Sequence, residues 1–238
     1  MKIIADTHTH TIASTHAYGT IIENATQAKT NGMEFIAVTD HGPSLPDSPH
    51  EWHFLNLRVL PKVIDGIRVL SGVEANIMST NGALDLDQEI LKRLEWVIAG
   101  FHEPVYPPTT IADHTEAYLN VAKNKAVDVI GHSGNPNFPY EYEKCIKTFG
   151  ECGKIVELNE NSFDVRTNSD KNCLEIAKLC KKHNVRVIIN SDAHFPTAIG
   201  VAPRTIAMLK DIDFPKELVI NADRDRFSDY LKTRGVLI

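Results

Sequence analysis

The chain has 238 residues, 42% of them hydrophobic and 24% charged, with a formal charge of −6. That length suits one large domain over residues 1–238, and the composition excludes collagen-like, mucin-like and disordered chains. The acidic balance argues against the usual basic nucleic-acid surface, but three divalent cations would cancel it, so net charge says little about anionic substrates.

The N-terminal stretch Met1–His10 reads as a strand that meets polar residues after only a few apolar ones. No basic segment precedes an apolar core there, so a secretory leader is not expected. No run of about 18 apolar residues follows, so no membrane-spanning helix is expected and the chain is read as cytoplasmic. Short β-branched segments recur at Lys2–Ala5, Phe35–Val38, Arg68–Gly72, Trp96–Ala99, Val127–Ile130, Ile155–Leu158 and Val185–Ile189. They lack strict alternation, as strands buried on both faces do. Amphipathic stretches of helical length lie between most of them, at Ile21–Asn31, Gln88–Leu94, Thr115–Lys123, Tyr142–Phe149 and Lys171–His183. Gly42–Pro49 and Glu103–Pro108 read as long loops. The tail Asp223–Lys232 reads as a final helix, with Asn221 or Asp223 as its N-cap.

Repeated strand–helix units imply parallel strands joined by right-handed crossovers, in an open sheet or a closed barrel. The polar residues decide between them. His8 and His10, His41, Glu74, His102, His132, Asn159, and Asp192 with His194 follow successive strands, at intervals of 27–33 residues. In an open sheet the outer strand ends lie too far apart to converge. In a barrel they ring one mouth. The expected fold is therefore an α/β, distorted seven-stranded (βα)7 TIM-like barrel.

In Asp6-Thr7-His8-Thr9-His10, residues two apart share a face and lie about 6.5–7 Å from each other. Both histidines can then reach one ion, and Asp192-Ala193-His194 repeats that spacing. Of eleven histidines, His8, His10, His16, His41, His102, His132 and His194 fall at or just beyond strand ends. His114 and His183 are assigned to helix surfaces. The joint pattern points to a metal centre. Cys145, Cys152, Cys173 and Cys180 form no C-x-x-C and read as ordinary buried or half-buried thiols.

Asp-Thr-His-Thr-His, Thr39-Asp40-His41-Gly42, Gly72-Val73-Glu74, Gly100-Phe101-His102, Gly131-His132-Ser133 and Ser191-Asp192-Ala193-His194 together resemble the PHP (polymerase and histidinol phosphatase) family. The stretch Pro49–Phe54 is similar to its stand-alone bacterial YcdX-like phosphatase branch. The resemblance covers most of the chain and implies a metal-dependent phosphoesterase, a phosphatase of phosphate monoesters, with a trinuclear site. By motif, His8, His10, Glu74 and Asp192 would hold the first ion. Glu74 would bridge to a second, bound also by His102 and His132, and His16, His41 and His194 would hold the third. The imidazole-rich set makes Zn²⁺ the first choice, with Mn²⁺ or Fe²⁺ as alternatives. The expected chemistry is in-line attack on phosphorus by a metal-bridging hydroxide, with Glu74 and Asp192 in catalytic roles and no phosphoenzyme. The expected partner is a small-molecule phosphate ester, and the resemblance also implies a homo-oligomer, a trimer.

His53 could protonate the leaving oxygen or simply pack against Trp52. Asp6 and Asp40 could orient ligand imidazoles or cap loops. Arg166 could grip phosphate or form a structural ion pair, and Asn159 and Asn161 could line the pocket or hold a turn. Neither G-x-G-x-x-G nor a P-loop occurs. Competing readings are a phosphodiesterase or nuclease, a metal-dependent amidohydrolase, for which no bridging lysine follows a middle strand, and a non-catalytic metal-stabilised module.

Overall fold

The computed structural model describes residues 1–237. In chain order the elements are β1 (Ala5–Thr9), α1 (Ile21–Thr30), β2 (Phe35–Val38), α2 (Glu51–Asn56), β3 (Val63–Ile64), β4 (Ile67–Asn76), α3 (Gln88–Leu91), β5 (Trp96–Gly100) and α4 (Ile111–Ala122). There follow β6 (Val129–Ile130), α5 (Tyr142–Glu151), β7 (Ile155–Asn159), α6 (Ser162–Val165), α7 (Ser169–His183), β8 (Val187–Asn190), α8 (Pro203–Asp211) and α9 (Arg224–Thr233). Seven strands pair in parallel in the order β1-β2-β4-β5-β6-β7-β8, and β3 makes a small antiparallel hairpin with β4. The result is a nearly closed barrel.

The helices start where local chemistry provides caps. Thr20 with Glu23 and Thr110 with Asp113 form capping boxes on α1 and α4, each satisfying otherwise orphaned backbone donors. Asp223 caps α9. Asn221, the other expected cap, is fully buried and does something different at the barrel seam.

That seam lies between β8 and β1. Backbone bonds across it include His10 N to Ala193 O at 2.9 Å and Ala193 N to His8 O at 3.3 Å. Side chains complete it. The Asn221 amide donates to Ala5 O and to Ile189 O, both at 2.7 Å, and accepts from Ile189 N at 3.2 Å. Asn190 Oδ1 accepts from Thr7 N at 2.9 Å. A register irregularity in β1 between Asp6 and Thr9 accompanies the gap.

Alternation along the strands divides the core in two. Outward residues such as Ile36, Val38, Val73 and Ile189 pack under the helices. Inward residues Ala5, Phe35, Leu70, Trp96, Val129, Ile155 and Ile188 fill the lower barrel, where α9 plugs the bottom with Phe227, Tyr230 and Leu231. The Phe227 ring lies 5.1 Å from Phe35, edge to face. Burying each such side chain stabilises by about 1.5–3 kcal/mol. One register higher, the inward positions become Gly72, Glu74, Asn76, Gly100, Glu157, Asn159 and Asn190. A greasy floor therefore gives way to a polar mouth along the same strands.

Several expectations shift. β1 begins at Ala5 rather than Lys2. The loop after β2 carries α2, and α8 falls in a stretch with no expected helix. His114 is fully buried rather than on a helix surface: its Nε2 accepts from Thr109 N at 2.9 Å and its Nδ1 meets Pro139 O at 2.9 Å. Cys145, Cys173 and Cys180 are buried, but Cys152 is exposed.

Candidate metal centre

The strand ends bring the nine candidate ligands to one mouth. Glu74 projects from β4 into its centre, fully enclosed, with five imidazoles around it. His132 Nε2 lies 2.7 Å from Glu74 Oε1, His102 Nε2 3.2 Å and His8 Nε2 3.3 Å. His41 Nδ1 and His10 Nε2 lie 2.6 and 3.6 Å from Oε2. Asp192 Oδ1 stands 3.1 Å from His10 Nε2 and 3.4 Å from His8 Nε2. The third group opens to the surface: His16 Nε2 lies 3.2 Å from His41 Nε2 and 3.0 Å from His194 Nε2.

Backbone geometry aims these side chains. His132 and Asp192 both take left-handed backbone, with φ of 26° and 57°. Neither is glycine, so each conformation costs on the order of 1–3 kcal/mol, of the kind found at functional sites. Gly100 leaves room for an imidazole, because a Cβ there would fall 2.7 Å from His132 Cε1.

The arrangement fits divalent metal on two grounds. First, close contacts fail as hydrogen bonds: His8 Nε2, His102 Nε2, His41 Nδ1 and Glu74 Oε2 are buried without an aligned partner. Second, imidazole nitrogens bound tetrahedrally at about 2.0–2.1 Å would stand about 3.3 Å apart, close to the His16 distances. Three groups, His8-His10-Glu74, His41-Glu74-His102 and His10-His41-His194, each bring ligand atoms within 4.8 Å of one another.

Electrostatics keep the carboxylates ionised. Burial pushes Glu74 up, but His8, His102 and His41 outweigh it and hold the carboxyl well below its usual range. Asp192 behaves likewise through His8 and His10. His10 is driven down to about 3 by burial and by neighbouring His41, so it stays neutral, as a metal ligand must.

Around the ligands lies a set of partners that orients them. Glu157 sits on the barrel axis under the ring. It accepts from His8 Nδ1 at 2.7 Å, His132 N at 2.7 Å, Asn190 Nδ2 at 2.8 Å and Asn159 Nδ2 at 3.2 Å. Asn76 Oδ1 takes His102 Nδ1 at 2.7 Å and is itself held by Asp85. Asp47, in the loop after β2, takes His16 Nδ1. Engaging one ring nitrogen leaves the other free for metal.

Glu157, Asn76, Asp85 and Asp47 were not singled out from the sequence. Glu157 was findable, as a charged residue inside a buried strand at i, i+2 from Asn159. Asn76 likewise shares the inward face with Gly72 and Glu74. Nothing local marks Asp47 or Asp85.

The remaining candidates divide. Asp40 and Asp6 hold loops rather than ligand imidazoles: Asp40 accepts from Thr11 N, Thr11 Oγ1 and Ser14 Oγ, each at 2.8 Å, and Asp6 from Ser191 and Gly200. His53 Nε2 faces Asp40 Oδ2 at 3.2 Å, and among the described residues it pairs with none of the nine. It is His50, not His53, whose ring meets Trp52. Arg166 lies at the rim, with Nη1 3.9 Å from Asp192 Oδ2 and bonded to Ser162 Oγ at 2.9 Å. Asn159 lines the floor and donates to Asp192 Oδ2 at 3.1 Å. Asn161 stands at the start of α6, where its carbonyl accepts from Asp164 N at 3.0 Å.

A parallel barrel with histidine–carboxylate clusters at its C-terminal mouth defines a barrel protein built to take divalent metal. The sequence matches the PHP domain over residues 6–161, and the chain belongs to that family. It is 47% identical over 234 residues to a "probable phosphatase" of Acetivibrio thermocellus, covering 98% of this chain and 97% of that one. A "probable phosphatase" of Clostridium novyi is 46% identical across 100% of this chain and 98% of its own. Among solved structures, histidinol phosphate phosphatase from Lactococcus lactis, complexed with zinc, L-histidinol and phosphate, has a TM-score of 0.65 at 16% identity. That match covers 90% of this chain and 95% of the other, and is a likeness of fold. Among the described residues no helix is long and apolar enough to cross a membrane.

Proposed function

We propose that this hydrolase of phosphate esters is a phosphomonoesterase for a small molecule, working with three divalent ions, zinc first among them. His8, His10, Glu74 and Asp192 would hold the first ion. Glu74, His102 and His132 would hold the second, and His16, His41 and His194 the third. The observation that carries the reading is Glu74 at the centre of five imidazoles: His132 is aligned to it as a hydrogen bond, while His8, His41 and His102 crowd the carboxylate without forming one. The names of the relatives and the zinc and phosphate bound in the structural neighbour support it.

Bound divalent ions supply Lewis acidity, acidifying water and offsetting charge on phosphoryl oxygens. The chain's own residues do the rest. Glu157 and Asn76 fix the rings of His8 and His102. Asn159 steadies Asp192. The third group carries three imidazoles, and an ion held there would offset charge on the ester's anionic oxygens. Water attacks phosphorus directly, without a phosphoenzyme, so a monoester made chiral at phosphorus with oxygen isotopes is expected to react with inversion, and retention contradicts this route.

His53 stands behind Asp40 and acts through it, or as the proton donor. His53→Ala that lowers kcat at full metal content supports the donor role, and unchanged kcat removes it. The main test is a panel of phosphate mono- and diesters with protein reconstituted in Zn²⁺ or Mn²⁺. Faster turnover of monoesters is expected, preference for diesters favours the phosphodiesterase reading, and inactivity on all at full loading refutes both.

A further inference from the structure

Beside the ring, on the side of His102, His132 and Asp192, is a cavity of about 370 Å³ lined by Glu103, Asn135, Pro136, Asn137, Val165 and Arg166. Its walls are tied to the centre. Glu103 follows His102 directly, Asn135 N bonds to His132 O at 3.0 Å, and Arg166 reaches to 3.9 Å from Asp192. A molecule whose phosphate rests on the ring can therefore extend its other end into this cavity. The volume falls within the range of about 300–1,000 Å³ typical of small-molecule sites.

The lining chemistry is specific. Glu103 Oε1 is held by Asn137 Nδ2 at 2.8 Å and Asn135 Nδ2 at 3.3 Å, and the residue's own backbone N–H also donates to the carboxylate, which is thereby fixed and still has lone pairs to offer a ligand. Burial opposes ionisation of Glu103, but Asn137 and its neighbours hold its carboxyl below the usual range, and it remains an acceptor. Arg166 spends one nitrogen on Ser162, and its other guanidinium N–H groups are donors for a ligand. No aromatic ring lines the cavity to serve as a stacking platform for a nucleobase. A neighbouring hollow of about 430 Å³ touches Asp192 and His194, but its charged groups are already spent on one another, Arg204 on Glu160 at 2.7 Å and on Asp164 at 2.6 Å. Two larger hollows, of about 890 and 870 Å³, lie around α2 and Leu60–Ile64.

Resting on the phosphatase reading above, we propose that this cavity is the leaving-group subsite, and that it takes a polyhydroxylated alcohol. One hydroxyl donates to Glu103 and another accepts from Arg166. A site built to hydrogen-bond hydroxyls rejects an ester lacking them, because its polar groups are left unpaired.

The test compares kcat/KM for glycerol 3-phosphate and ribose 5-phosphate with that for phenyl phosphate, in zinc-loaded wild type, Glu103→Ala and Asn137→Ala. Wild type favours the hydroxylated esters. Glu103→Ala lowers the hydroxylated-to-phenyl ratio about tenfold or more, as loss of a bond to a charged group does. Asn137→Ala lowers it less, and metal content stays at wild-type level. Both rates falling together at constant ratio, or a ratio that does not move, overturns the subsite. Wild type that hydrolyses phenyl phosphate without favouring the hydroxylated esters also overturns it and spares the phosphatase reading. Wild type inactive on all three esters takes the phosphatase reading down with it.

Discussion

Replacing Glu157 by Gln exchanges one carboxylate oxygen for an amide nitrogen beneath the ring, with almost no change in volume. The native carboxylate faces four N–H groups, His8 Nδ1 and Asn190 Nδ2 on Oε1, His132 N and Asn159 Nδ2 on Oε2. Whichever way the new amide turns, its NH₂ end meets two donors. At least one charge-assisted bond is lost, worth about 1.5–3 kcal/mol, and either the His8 imidazole or the His132 backbone N–H is left facing an NH₂ group instead of an acceptor. Outer partners of this kind cost about 10–100-fold in metal affinity, equivalent to about 1.4–2.8 kcal/mol, so the two estimates agree. Equilibrium dialysis of Glu157→Gln against zinc buffered by a competing chelator, with metal per chain measured by mass spectrometry, should show that weakening. Circular dichroism should show a folded chain. Affinity within about twofold of wild type would refute the assigned role of Glu157.

Asp47→Ala frees His16, so the third ion is expected to dissociate first, with activity recovering on added Zn²⁺; a metal count unchanged under chelator contradicts this. Asn221→Ala strands Ala5 O, Ile189 O and Ile189 N at a buried position, and leaving even part of that set unpaired costs on the order of 3 kcal/mol. A loss under about 1 kcal/mol in urea unfolding would contradict that accounting. Acid competes for imidazoles, so metal retention is expected to fall from pH 7 to 5, starting with the half-exposed His16 group. His10 adds a stability component of known sign. The fold holds it neutral down to about 3, whereas the unfolded chain protonates it near 6.5. Its contribution therefore declines as pH falls below about 6.5, and ions released together in one step would contradict the ordering.

Much of this architecture is legible in the sequence because both periodicities point the same way. β2, β5 and β7 fall within a residue of the apolar runs that announce them. The even interval between polar strand ends carries the barrel, since only closure brings such distant residues together. Local signals fail where tertiary contacts decide. β1 starts late because Ile4 N bonds to Asn221 O, outside the sheet. α2 hides in a loop rich in proline and histidine. His114 reads as a surface residue, yet it is enclosed by Phe101 and Phe138. The ligands are visible because metal chemistry restricts residue type. Their supports are fainter: Glu157 and Asn76 show only as polar residues at inward strand positions, and nothing local marks Asp47, which meets His16 across 31 positions.

The seam between β8 and β1 separates His8 and His10 from Asp192 and His194. An ion gripped by both sides is a fastening between the first and last strands of the chain. Linkage then works in both directions by the same factor. Whatever loosens the seam, such as the loss of Asn221, weakens metal binding, and whatever withdraws metal loosens the seam. Exchange of amide hydrogens in β1 and β8 would register the state of the centre.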